Sequence, residues 1–130
     1  MERKEVIRLF REVVRELGLE KVVRIRIVPM KRKIASFSFK TKTLRINRNI
    51  VEIFDEKLMR FIILHELIHF KINDVNHGKE FFEELGRYYS EKTMKSLEIE
   101  IIKRLISSSN LNSEIIHFPQ SPDSSTSREP

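Results

Sequence analysis

The stretch "FIILHELIHFKINDVNHGKEFFEEL", residues 61–85, decides how this chain folds, and it holds three of the chain's four histidines within 13 residues. Its surroundings are apolar. Leu58, Met59, Phe61, Ile62, Ile63, Leu64, Leu67, Ile68 and Phe70 spread nearly all the way round a helical axis, which predicts a helix inside a domain rather than one lying on its surface. Polar groups buried there cost roughly 1–3 kcal/mol each unless they find partners. His65, Glu66 and His69 read H-E-x-x-H. Positions four apart on a helix lie about 40° apart around its axis. Both imidazoles therefore project side by side, one turn apart, where they can reach a single ion at about 2.0–2.1 Å. The spacing points to a metal.

Glu66 falls on the adjoining edge of the same face, placed to act on a water at the ion without being a ligand. Zn²⁺ in such a site acidifies water and polarises a carbonyl. Glu66 would then serve as the general base and pass its proton to the leaving amine. By chance, a chain of this length contains H-E-x-x-H about once in 200 sequences, and its position in a buried helix makes coincidence rarer still. The competing explanation is two core histidines satisfied by ordinary hydrogen bonds. A catalytic tetrahedral site needs a third protein ligand and one open vertex. His77 is the leading candidate, because the linker after His69 is long enough to bring the chain back to the ion, and Gly78 beside it would ease a turn. Glu80, Glu83 and Glu84 are the carboxylate rivals. His117 is assigned no role.

Composition narrows the alternatives. With no cysteine among 130 residues, disulfides, thiolate ligands and thiol nucleophiles are excluded. One domain is expected from the length. No apolar run approaches the roughly 18–20 residues that cross a bilayer, and "MERKEVIRLFREVVREL" lacks the apolar block of a secretory signal. A cytoplasmic location is the expectation. Residues 1–48 carry 15 Lys and Arg against 5 Glu, a balance of +10. Residues 49–106 carry 9 against 11 acidic residues, or −2, and residues 107–130 carry 1 against 3, also −2. Such a basic half fits either a nucleic-acid surface or a solvated face, and the scatter of the charges favours the latter.

Along the chain, Val6, Leu9, Phe10, Val13, Val14 and Leu17 follow helical spacing and Gly18 stands where a C-cap belongs. "KVVRIRIV", "KIASFSFK" and "KTLRIN" alternate apolar and polar residues, which predicts three strands joined by short connections as an antiparallel meander. Asp55 is placed to cap the metal helix, "NDVN" to break it, and a further helix should run from Lys79 to Ile106 with an interruption near Ser90. The domain is therefore residues 1–106. Residues 107–130, Ser- and Pro-rich, read as a disordered tail.

"HELIHFKINDVNHGKEFFEEL" resembles the zinc metallopeptidases of the SprT-like and YgjP-like group, related to the WLM domain. The matching positions are His65, Glu66, His69, His77, Gly78 and Phe81, with "LRINRNIV" and "DEKLMRFIIL" before them. The resemblance implies an α+β minimal zincin core: an N-terminal helix, a three-stranded mainly antiparallel sheet, the metal helix and a C-terminal helix. It also implies a Zn²⁺-dependent peptidase acting on polypeptide, with Thr43–Asn47 as the edge strand that receives substrate and Arg45 helping to select it. Tyr88 or Tyr89 could supply an oxyanion donor. Three features depart from the group: seven residues separate His69 from His77, Phe82 stands where Trp is common, and no cysteine-bearing zinc ribbon is present. The alternative is a nucleic-acid-associated zinc domain led by residues 1–48. A purely structural metal domain would have no need of Glu66. A small peptidase also needs restraint, from weak intrinsic activity, a partner or the tail; if the tail inserts into the cleft, deleting residues 107–130 raises turnover.

Overall fold

Helix α1, Arg3–Leu17, buries Val6, Leu9, Phe10, Val13, Val14 and Leu17, the stripe its spacing predicts. Its start is tied by the Glu2 amide donating to Glu5 Oε1 at 2.7 Å. Gly18, at φ 72°, ends it, letting the Leu19 amide reach back to the Val14 carbonyl at 2.9 Å, as left-handed C-caps do. A computed structural model describes residues 1–108 of the chain. The tail expected over residues 107–130, His117 included, lies outside the described residues apart from Ser107 and Ser108.

Strands β1 (Arg24–Val28), β2 (Ala35–Ser38) and β3 (Thr43–Asn47) form one sheet in the order β1-β3-β2. The α+β class holds, but the meander does not. β3 pairs antiparallel with β2, Phe37 opposite Leu44, and parallel with β1, Ile27 opposite Ile46. Burial explains the order. In β3 Leu44 and Ile46 are buried on one face and Thr43 and Asn47 on the other, leaving only Arg45 exposed. Such a strand belongs in the centre. β1, whose Arg24 and Arg26 are exposed, takes an edge. Sequence neighbours usually pair, and here that tendency yields to burial.

The connection from β1 to β2 must therefore cross the end of β3. Asn47, fully buried there, holds the crossing loop. Its Nδ2 donates to the Met30 carbonyl at 3.1 Å and the Lys33 carbonyl at 2.8 Å. Its Oδ1 accepts from the amides of Met30 at 3.2 Å and Asn49 at 2.9 Å. A side-chain amide has two donors and an acceptor with two lone pairs, so its whole capacity is used.

Helix α2, Glu56–Ile72, is capped by Asp55, whose Oδ1 accepts from the Leu58 amide at 3.0 Å. It ends at Asn73 in the left-handed conformation, φ 57°. Eight of its apolar side chains are buried together with His65 and His69. At about 1.5–3 kcal/mol for each large apolar side chain, that burial outweighs two desolvated imidazoles at roughly 1–3 kcal/mol each. The expected interruption of the last helical region is present: α3 (Lys79–Leu85) and α4 (Glu91–Ser107) are separate, and the Ser90 hydroxyl accepts from the Thr93 amide at 3.1 Å. Arg104 ties α4 to the start of α2 through the Ile53 carbonyl at 3.0 Å and Asp55 Oδ2 at 3.2 Å.

Candidate metal centre

His65 and His69 leave α2 on one face, and the α2–α3 loop returns His77 to them. His77 Nε2 lies 3.2 Å from His65 Nε2 and 3.0 Å from His69 Nε2. Three nitrogens around a tetrahedral ion at about 2.0–2.1 Å stand roughly 3.3 Å apart, so the cluster has nearly the dimensions of a coordination shell. Hydrogen bonding alone accounts poorly for it. The Asp74 carbonyl takes a bond from His69 Nδ1 at 2.9 Å, which fixes the tautomer and leaves Nε2 as a bare lone pair. His77 Nε2 has at most one proton to give to two neighbours. A divalent cation satisfies all three at once.

The surroundings keep the imidazoles neutral and oriented. His65 is 2% exposed and His69 7%. Burial, reinforced by the neighbouring imidazoles His77 and His69, drives His65 far below the usual imidazole range. Burial also lowers His69, and with the nearby His69 pushes His77 down to about 4. Neutral imidazole is the form that binds metal. Phe81, fully buried, braces the three rings: stacked on His69 at 4.5 Å between centroids, edge-on to His65 at 4.9 Å and to His77 at 4.8 Å.

Glu66 lies beside the histidines on the wall of a cleft of about 260 Å³ between α2 and β2, which His69, His77, Lys33, Phe37, Phe39 and Val75 also line. The residue keeps some exposure at the cleft, but protein encloses its carboxyl closely enough to push it up to about 8, with Lys33 pulling the other way. A bound cation beside it would restore the ionised form.

The carboxylate rivals are engaged elsewhere. Glu84 receives Lys71 at 2.7 Å and Arg87 at 3.3 Å, Glu83 pairs with Lys79 at 3.8 Å, and Glu80 is exposed. Among the described residues, His65, His69 and His77 form the candidate metal group, with no carboxylate joining them. Gly78 is in extended backbone at φ −92°, and a Cβ there would meet nothing within 4 Å, so the expected glycine-dependent turn is not what returns His77. Tyr88 and Tyr89 do not line this cleft; Tyr89 packs edge-on against Phe61 at 5.2 Å. Nor can Thr43–Asn47 accept a substrate strand, since β1 and β2 occupy both its edges. The strand beside the cleft is β2. Sequence reading missed two supports, Asn47 and the Asp74 carbonyl. The buried Asn closing an alternating strand was the one available signal.

The family model described as YgjP-like, metallopeptidase domain, matches residues 2–99. The chain belongs to the YgjP-like metallopeptidase family. Its activity is that of a metal-dependent peptidase. It is 50% identical over 104 residues to the Methanocaldococcus jannaschii protein MJ0123, covering 80% of this chain and 94% of that one. The crystal structure of the metallopeptidase zymogen jannalysin, from the same organism, superposes with a TM-score of 0.75 at 48% identity, covering 81% of this chain and 94% of that one. The zymogen of Pyrococcus abyssi abylysin gives 0.71 at 30% identity, covering 78% and 95%. The seven-residue linker, expected to separate the chain from close YgjP relatives, falls inside the family match. No helix among the described residues is long and apolar enough to cross a membrane. A nucleic-acid role for residues 1–48 gains no support from the family.

Proposed function

We propose that the ion is Zn²⁺, held through Nε2 of His65, His69 and His77, and that Glu66 is the general base of peptide-bond hydrolysis by a domain spanning residues 1–106. The observation that carries this reading is the convergence of three Nε2 atoms, 3.0 and 3.2 Å from one another across His77, with one tautomer fixed by Asp74. An all-imidazole set of three, with no thiolate available, suits zinc with an open vertex. When bound, the ion acidifies a water and polarises the scissile carbonyl. Glu66 accepts the water's proton and delivers it to the departing amine. His69, tethered to the Asp74 carbonyl, keeps its lone pair aimed, and Phe81 prevents the three rings from turning. The edge of β2 that is unpaired among the described residues, beside Glu66, orients an extended substrate by main-chain hydrogen bonds.

Glu66→Gln tests the assignment. It should lower kcat by about 10²–10⁴-fold while leaving one zinc per chain. Undiminished turnover would remove Glu66 from the chemistry. The jannalysin and abylysin structures are of zymogens. We carry that property to this chain, with residues 107–130 as the restraint, and place the protein in the cytoplasm.

A further inference from the structure

The wall of the cleft facing α2 is more apolar than hydrolysis itself requires. Ala35 and Phe37 share one side of β2, and Phe39 follows just past the end of the strand. Phe37 packs against Phe39 at 5.6 Å and against Phe70 at 5.1 Å, with Phe39 and Phe70 6.1 Å apart. Phe70 directly follows His69, so this shelf of three rings abuts the metal end of the cleft. Phe37 and Phe39 nevertheless remain only half-buried, and both line the hollow shared with Glu66, His69 and His77. Val75, 66% exposed, lines it from the α2–α3 loop. Lys33 is the cationic side chain along it.

Apolar surface left open inside a cleft is covered when ligand binds, and the edge of β2, unpaired among the described residues, says what form that ligand takes. A chain laid along a strand edge turns every second side chain to the same side. We infer that the cleft selects polypeptides carrying a large apolar residue within two positions of the scissile bond, seated on Phe37, Phe39 and Val75, and disfavours Lys or Arg there because of Lys33. This inference rests on the peptidase reading above and adds its substrate preference. A hollow of about 260 Å³ suits one or two side chains rather than a folded partner.

The experiment is cleavage of a degenerate peptide mixture by the zinc-loaded protein, with cut sites mapped by mass spectrometry. Phe, Leu, Ile or Met should be enriched at one fixed position near the cut, with Lys and Arg depleted there. Phe39→Ala should lower kcat/KM about 10-fold for a peptide with Phe at that position, chiefly through KM, and by a clearly smaller factor for the matching Ala peptide. Val75→Asp, on an exposed loop where folding is not at stake, should reduce the apolar preference and admit basic residues. Cleavage without positional enrichment, or a preference intact in Val75→Asp, overturns the subsite and leaves the peptidase reading standing. No cleavage by zinc-loaded protein, either as the full chain or with the restraining residues 107–130 deleted, overturns both, and that result is distinct from the first.

Discussion

The two walls of the cleft are built in opposite ways. On one side, α2 carries His65, Glu66 and His69 within five consecutive residues, and eight buried apolar side chains hold it in the core. On the other, β2 is four residues long and half-buried throughout, and its place beside the metal depends on Asn47, 14 residues from Lys33 along the chain. On the proposed reading, chemistry sits on the wall whose geometry is local. The proposed substrate contact sits on the wall whose geometry is borrowed from a partner strand. The difference teaches that ligand spacing can be rigid while the substrate-facing side stays open to change.

The largest effects should come from the helical wall. His69→Ala or His65→Ala should abolish stoichiometric zinc binding and turnover together, and a strong chelator should reproduce the loss in the wild type. His77→Ala should do the same, since two imidazoles alone form an incomplete shell. Full zinc occupancy in His77→Ala, by elemental analysis, would show that the loop histidine is not part of the centre and break the comparison at its root.

Asn47→Ala should be next, and it probes the borrowed wall. Leaving the Met30, Lys33 and Asn49 main-chain groups without their partner should destabilise the protein by about 2–4 kcal/mol, read by denaturant unfolding. Zinc should still bind, because the three imidazoles do not touch Asn47, while KM rises as β2 loses its fixed position. Equal losses of zinc and of substrate affinity would mean that the two walls are not separable.

The smallest effect is a pH dependence confined to the metal-free protein. His77 sits at about 4 in the fold against an ordinary 6.5, and His65 and His69 are lowered as well. A base whose folded pKa is depressed leaves the unfolded chain binding more protons, so stability rises with pH across that interval. In metal-free protein the imidazole contribution should be complete above about pH 6.5 and be lost as pH falls towards 4. Glu66, held up to about 8, works in the opposite sense as pH rises, so the imidazole slope is read in Glu66→Gln, which removes that carboxyl. Thermal unfolding across that range checks it. A flat profile would mean the imidazoles are more solvated than their burial indicates. Added zinc should raise the melting temperature throughout the upper part of the range.

Much of this protein is legible in its residues. Helix α1 shows its stripe and its Gly18 cap, α2 shows Asp55 and the all-round apolar pattern, and the break at Ser90 is marked by a capping serine. The three candidate ligand positions and the proposed base Glu66 stand out in the sequence because coordination chemistry demands particular side chains and a helix converts spacing directly into direction. What the sequence could not decide is which strands are neighbours. Alternation in "KIASFSFK" and "KTLRIN" defines two strands without saying that the second lies between the first and β1, since pairing depends on which faces the rest of the core covers. Only the folded chain shows that Leu44 and Ile46 are covered on one side while Thr43 and Asn47 are covered on the other. That central position denies Thr43–Asn47 a free edge and gives β2 the cleft. Periodicity is a local property of a chain, whereas an open hydrogen-bonding edge exists only once every other strand has found its partner.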